Sequence, residues 1–212
     1  MGENTVCEFE KGGYKLEVYV DDWAESPREW DNIGTMVCYH RNYVLGDEQA
    51  ENLENYDSWN EWFEAEIVEY NGGWDNIVYL PLYLLDHSGI TMNTYGFNDP
   101  WDSGQVGFIF ATKDKFRKET MYSEEELFGQ GKLAEGLLRQ EVDIYDDYLR
   151  GNVYGFSIEK VKICECCGNA EYEYIDSCGG FYGDLEEAIE QMKEQAGEEF
   201  DFLFDTLIRK EL

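Results

Sequence analysis

Residues 74–113, WDNIVYLPLYLLDHSGITMNTYGFNDPWDSGQVGFIFATK, hold the longest apolar runs of the chain with the least charge. Two or three buried strands are predicted here, over 77–85, 90–94 and 106–112, because each run is rich in Val, Ile, Tyr and Phe. The breaks between them, Asp-His-Ser-Gly at 86–89 and Asn-Asp-Pro-Trp-Asp-Ser-Gly at 98–104, are built of turn formers. The strands are expected at the centre of a sheet. The wider stretch 74–118 has five acids against four bases, in a chain of 47 acidic and 16 basic residues with a formal net charge of -31.

Outward from this centre, 14–20 alternates apolar and polar residues, the pattern of a strand with one wet face. A loop closed by Pro27 leads to a second strand over 34–40. Trp-Asp-Asn-Ile at 30–33 recurs at 74–77 and reads as two similar turns feeding two strands. Leu53, Tyr56, Phe63 and Ile67 have roughly helical spacing and predict an acidic helix or pair of helices over 47–70. Ser123 followed by Glu124, Glu125 and Glu126 starts another helix, with carboxylates at the positive end of its dipole. Its later buried stripe is Ala134, Leu138, Tyr145 and Leu149, with Gly129, Gly131 and Gly136 interrupting its early part. A strand over 153–163 pairs with 172–175 across the Cys-Glu-Cys-Cys-Gly-Asn turn. The C-terminal segment is the clearest helix: Leu185, Ile189, Met192, Ala196, Phe200, Leu203 and Leu207 step by threes and fours, and Gly197 is placed to divide it. The expected fold class is α+β, a central, mostly antiparallel sheet with acidic helices packed on it. The expected division is 1–150, a sheet-centred domain, and 151–212, a hairpin and helix packed on the first part.

A hydrophobic content of 43% and an aromatic content of 16% are enough for a folded core in 212 residues, despite a charge that by itself would favour disorder. The first ten residues lack a basic leader, and the longest apolar run, 77–85, is too short to cross a bilayer, so a cytoplasmic protein is expected. In that setting the six cysteines are reduced thiols or metal ligands and not a disulfide framework. The charge repels nucleic acid and anionic membranes, which leaves a basic nucleic-acid-binding protein as the expected partner.

The acids are concentrated. Residues 44–73 carry nine acids and no base, 119–149 nine acids and two bases, and 171–212 thirteen acids and three bases. On the last helix Glu187, Glu190, Glu194, Glu198, Asp201 and Asp205 step by threes and fours, a row that resembles the phosphates of one nucleic-acid strand in spacing and sign. A second set is Glu51, Glu54, Asp57, Glu61 and Glu64. These eleven carboxylates are the candidate partner-binding residues. Acidity for solubility or for high salt is the competing explanation. Trp59, Trp62 and Tyr148 stand among the acids either as contact anchors or as core.

Candidate chemistry is sparse, and no cofactor is expected. Cys164, Cys166, Cys167 and Cys178 are the one set able to offer zinc four thiolates, though without the paired C-x-x-C spacing. Asp86, His87, Asp99 and Asp102 lie in turns at strand ends. They either form a metal-dependent active site or cap turn amides. Cys38 and His40 alternate on one strand but lack an orienting group and an oxyanion site. No EF-hand, P-loop, G-x-S-x-G or H-E-x-x-H motif occurs.

The segments WDNIGTMVCYHR at 30–41, YLPLYLLDHSGITM at 79–92 and PWDSGQVG at 100–107 resemble an acidic protein family of phages and mobile elements of Gram-positive bacteria. The resemblance covers about the middle half of the chain and brings no catalytic residues with it. It implies an anti-defence setting, in which anti-restriction and anti-CRISPR proteins act as acidic DNA or RNA mimics. Inhibition of a nucleic-acid-binding enzyme by mimicry is therefore the expected function. The alternatives are the metal-dependent enzyme and a protein that recognises a defence component by shape.

Overall fold

The computed structural model describes residues 4–211, with side chains described through Leu207. From the N-terminus, β1 (Thr5–Lys11) and β2 (Tyr14–Val20) are followed by β3 (Thr35–Cys38), the two-residue β4 (Glu48–Gln49) and a short helix α1 (Trp59–Phe63) that runs on into one π turn (Glu64–Val68). Next come β5 (Ile77–Asp86), β6 (Ile90–Asn93) and β7 (Ser103–Thr112), then α2 (Lys113–Glu119), α3 (Glu124–Phe128) and α4 (Leu133–Arg150). β8 (Val153–Ile163), β9 (Ala170–Tyr182), α5 (Leu185–Ala196) and α6 (Asp201–Glu211) complete the chain. The fold is α+β, with two sheets in place of the single central one expected.

Two compact units result, Ser26–Arg150 and the described parts of Met1–Glu25 with Gly151–Leu212. The expected boundary at residue 150 falls between them. The expected first domain is corrected at its start, because β1 and β2 pair into the sheet of β8 and β9.

In the middle unit the strand order is β4-β3-β7-β5-β6, antiparallel except between β3 and β4. β7 and β5 are interior, as their apolar runs implied. Both faces of this sheet are covered, which is why those runs barely alternate. On one face Met36, Leu82, Ile109 and Ala111 pack with Leu138, Val142 and Tyr145 of α4. On the other, Val37, Ile77 and Phe108 pack beneath Trp62, Phe63 and Val68. Pro81 is tolerated within β5 because β6 reaches only Tyr83–Asp86, leaving no strand on that flank to miss its absent N–H. Gly107 lets β3 come close: a Cβ there would stand 2.0 Å from the Val37 carbonyl oxygen.

The span 47–70, expected to be helical, is helical only in part: a 3₁₀ turn at Leu53–Asn55 and the α-to-π run Trp59–Val68. Glu48–Gln49 pairs alongside β3, Asn52 takes a left-handed conformation (φ 56), and α1 begins only after Ser58, whose hydroxyl accepts the Glu61 N–H. The physical reason is that Trp62, Phe63, Val68, Leu53 and Tyr56 must all reach one sheet face, which a bent excursion allows and a straight helix does not. Ser123 forms the expected cap as a full capping box, but α3 ends at Gly129 and the stripe of Ala134, Leu138 and Tyr145, with Leu149 partly buried, belongs to the separate α4.

In the unit of the chain ends, the sheet β1-β2-β8-β9 is antiparallel throughout. Leu16, Val18, Phe156 and Ile158 face the apolar sides of α5 and α6, namely Ala188, Ile189, Met192, Leu203 and Phe204. β1 was not anticipated. Its signal was Gly12-Gly13, both left-handed (φ 62 and 80), the pair of dihedrals a two-residue hairpin turn requires. Gly197 (φ 95) divides the C-terminal helix into α5 and α6. No helix among the described residues is long and apolar enough to cross a membrane.

Candidate functional site

The excursion from β4 to the residue that follows the π turn carries Glu48, Glu51, Glu54, Asp57, Glu61, Glu64, Glu66 and Glu69, all exposed. None of the eight forms an ion pair among the described residues. Their backbone is pinned at several points. Ala50 N–H donates to Cys38 O at 2.9 Å, and Trp62 Nε1 donates to Glu51 O at 2.8 Å. Glu61 accepts the Asp57 N–H at 2.8 Å, and Trp74 Nε1 reaches Glu64 Oε1 at 3.1 Å. The Tyr56 hydroxyl donates to Glu66, a bond that holds the phenol above its ordinary pKa. Beneath lies a ring cluster in which Phe63 stacks on Phe108 at 4.1 Å. Trp59, partly buried, and the buried Trp62 belong to this packing, and Tyr148 stacks on Tyr145, so all three are core packing rather than contact anchors.

The expected set Glu51, Glu54, Asp57, Glu61 and Glu64 thus lies on one segment but not along one helix. Glu48, Glu66 and Glu69 lie on the same segment but outside that set. The absence of any base over 44–73 was the better signal.

The C-terminal row is corrected more severely. Glu187, Glu190 and Glu194 do share the exposed side of α5. Glu198 falls in the 3₁₀ turn beyond Gly197, while Asp201 and Asp205 lie half-buried on α6. Asp205 accepts from Lys193 Nζ at 2.6 Å, and this bond raises the Lys193 pKa. A continuous six-carboxylate flank does not form.

At the β5–β6 end the carboxylates serve turns. Asp99 Oδ1 accepts the Trp101 and Asp102 N–H groups at 2.9 and 3.1 Å, which lowers the Asp99 pKa. His87 Nδ1 lies 2.8 Å from Asp102 Oδ2, a hydrogen bond that raises the histidine pKa. Asp86 accepts from the Tyr43 hydroxyl at 3.2 Å. Cys38 is buried, and burial pushes its thiol up to about 12, whereas the His40 ring stacks on Tyr43 at 4.9 Å.

Among the described residues only Cys164, Cys166 and Cys167 gather three ligand atoms, all within 4.8 Å of one another, so this cluster can hold a metal. The turn is closed by Cys164 N–H to Asn169 O and Gly168 N–H to Cys164 O, both 2.8 Å, with Gly168 left-handed (φ 75). Cys164 Sγ lies 2.9 Å from Cys166 Sγ. The Cys166 hydrogen bond, then the neighbouring Cys167 and Cys166 backbone amides, bring the Cys164 thiol down to about 6. Cys178 is not a member: it pairs opposite Phe156, seven residues from Ile163 on β8, roughly 23 Å along the strand.

Comparison with family models, with curated proteins and with solved structures found no match.

Proposed function

We propose that the protein inhibits a nucleic-acid-binding enzyme of a defence system, in the manner of an anti-restriction or anti-CRISPR protein, by placing the acidic excursion over 48–69 in the partner's basic groove. It acts by occupancy and performs no chemistry of its own. The observation that carries this reading is the set of eight exposed carboxylates, free of bases, on a backbone fixed by hydrogen bonds and a ring cluster. Preorganisation lowers the ordering cost of binding, and the sign of the array complements the Lys and Arg that otherwise hold phosphates. The site of action is the host cytoplasm, with a phage or mobile element as the source. Glu187, Glu190 and Glu194 form a second, smaller patch.

The test is displacement of labelled duplex DNA, or of labelled guide RNA, from a panel containing a Cas9-type effector and restriction enzymes. Displacement by the wild type from one member, weakened at least about tenfold by E51Q/E54Q/D57N/E61Q at unchanged far-UV circular dichroism, supports the reading. Displacement that the quadruple variant leaves intact overturns it. Trp23 and Trp101, 93% and 91% exposed, favour a second reading, recognition by shape; binding that ignores added salt would select it.

A further inference from the structure

The Cys164-Glu165-Cys166-Cys167 turn lies at the tip of the β8–β9 hairpin. Tetrahedral zinc with Zn–S bonds of about 2.3 Å requires its sulfurs about 3.8 Å apart. The three sulfurs here lie within about an ångström of that spacing, with one pair at 2.9 Å and all pairs within 4.8 Å. All three sit on one closed turn between two paired strands, so the ligands are held together by a local segment and need no distant element. Cys166 and Cys167 are exposed and Cys164 half-buried, so an ion can enter from solvent.

We infer that this turn is a three-thiolate site for one zinc ion, its fourth position filled by water. Binding releases the remaining thiol protons to solvent, and no electron transfer is involved. Three thiolates on one turn, with no fourth protein ligand from Cys178, distinguish the site from a closed structural zinc knuckle. The ion clips the end of a hairpin whose strands run 11 and 13 residues. The inference stands apart from the acidic-groove reading and holds or fails without it.

Cobalt(II), added to the reduced protein without oxygen, is the probe. In a chain this acidic, total metal uptake is a poor readout, because carboxylates take hard cations unspecifically. The thiolate-to-cobalt charge-transfer band reports sulfur ligation alone. The expected result is a band that saturates at one cobalt per chain, is abolished by one equivalent of zinc, and is unchanged in C178S. C164S, C166S and C167S should each weaken binding by more than the roughly 10–100-fold that changes beyond the ligand shell produce. Because the turn is exposed, these variants should keep the wild-type far-UV spectrum. No charge-transfer band, a band unaffected by the three serine variants, or its loss in C178S would overturn the assignment.

Discussion

Arg28 sends its guanidinium to Asp47, with Nε and one terminal nitrogen at 2.9 and 2.7 Å from the carboxylate, and also to Glu141 at 3.1 Å and the Gly34 carbonyl at 2.7 Å. Both acids spend their remaining capacity on backbone: Asp47 accepts from Met36 N–H, and Glu141 from Ile33 and Gly34 N–H. Replacing Arg28 with Met leaves two carboxylates facing each other in a partly buried place. The expected loss, read from urea unfolding, is about 2–4 kcal/mol, between the cost at an exposed pair and at a fully buried one. Lys at this position cannot reproduce the forked geometry and should recover only part of the loss. His87 gives a pH signature. Its pKa is raised in the folded state, so whatever its pair with Asp102 contributes is fully present below pH 6.5 and is lost as pH rises through the folded value. An NMR titration of the His87 ring should give a midpoint above 6.5, returning toward 6.5 in D102N; an unchanged midpoint in that variant would show that Asp102 is not the cause.

At the level of elements, the acidic excursion is held from below by rings. Phe63 is fully buried and touches Phe108, Phe110, Tyr79 and Trp74. Phe63→Ala should cost about 3–5 kcal/mol, and hydrogen exchange over 48–69 should quicken more than over β8 and β9. Equal quickening everywhere would mean that the excursion has no anchor of its own. Strands over 77–85 and 106–112 were legible because burial on both faces leaves long Val, Ile and Phe runs, and β8 was legible to the residue. β9 was seen only as 172–175, since Glu171, Glu173 and Asp176 break its apolar pattern on an exposed edge. The broken course of 47–70 was not legible. Its apolar spacing satisfies a helix about as well as it satisfies a bent segment draped over an aromatic face, and the choice is made by tertiary contacts that period alone does not contain. Three of the four candidate zinc ligands were brought together, because a turn gathers near neighbours; Cys178 was lost to strand length.

For the molecule as a whole, a charge of -31 with few bases means that like charges repel in every folded conformation. Screening lengths fall from about 30 Å at 0.01 M salt to about 8 Å at 0.15 M, so sodium chloride over this range should raise the melting temperature of the free protein. The same salt should weaken its complexes. Opposite responses of stability and binding to one variable separate an acidity that serves recognition from one that merely keeps the chain dispersed, since solubilising charge has no complex to lose.

The most direct measurement is the salt dependence of the complex with any defence enzyme from which the protein displaces nucleic acid, recorded for the wild type and for a variant with the eight excursion carboxylates changed to their amides. The expected result is a dissociation constant that rises steeply with salt for the wild type, and a markedly flatter and weaker curve for the variant. Two superimposable curves would contradict the assignment of the groove-filling surface to residues 48–69.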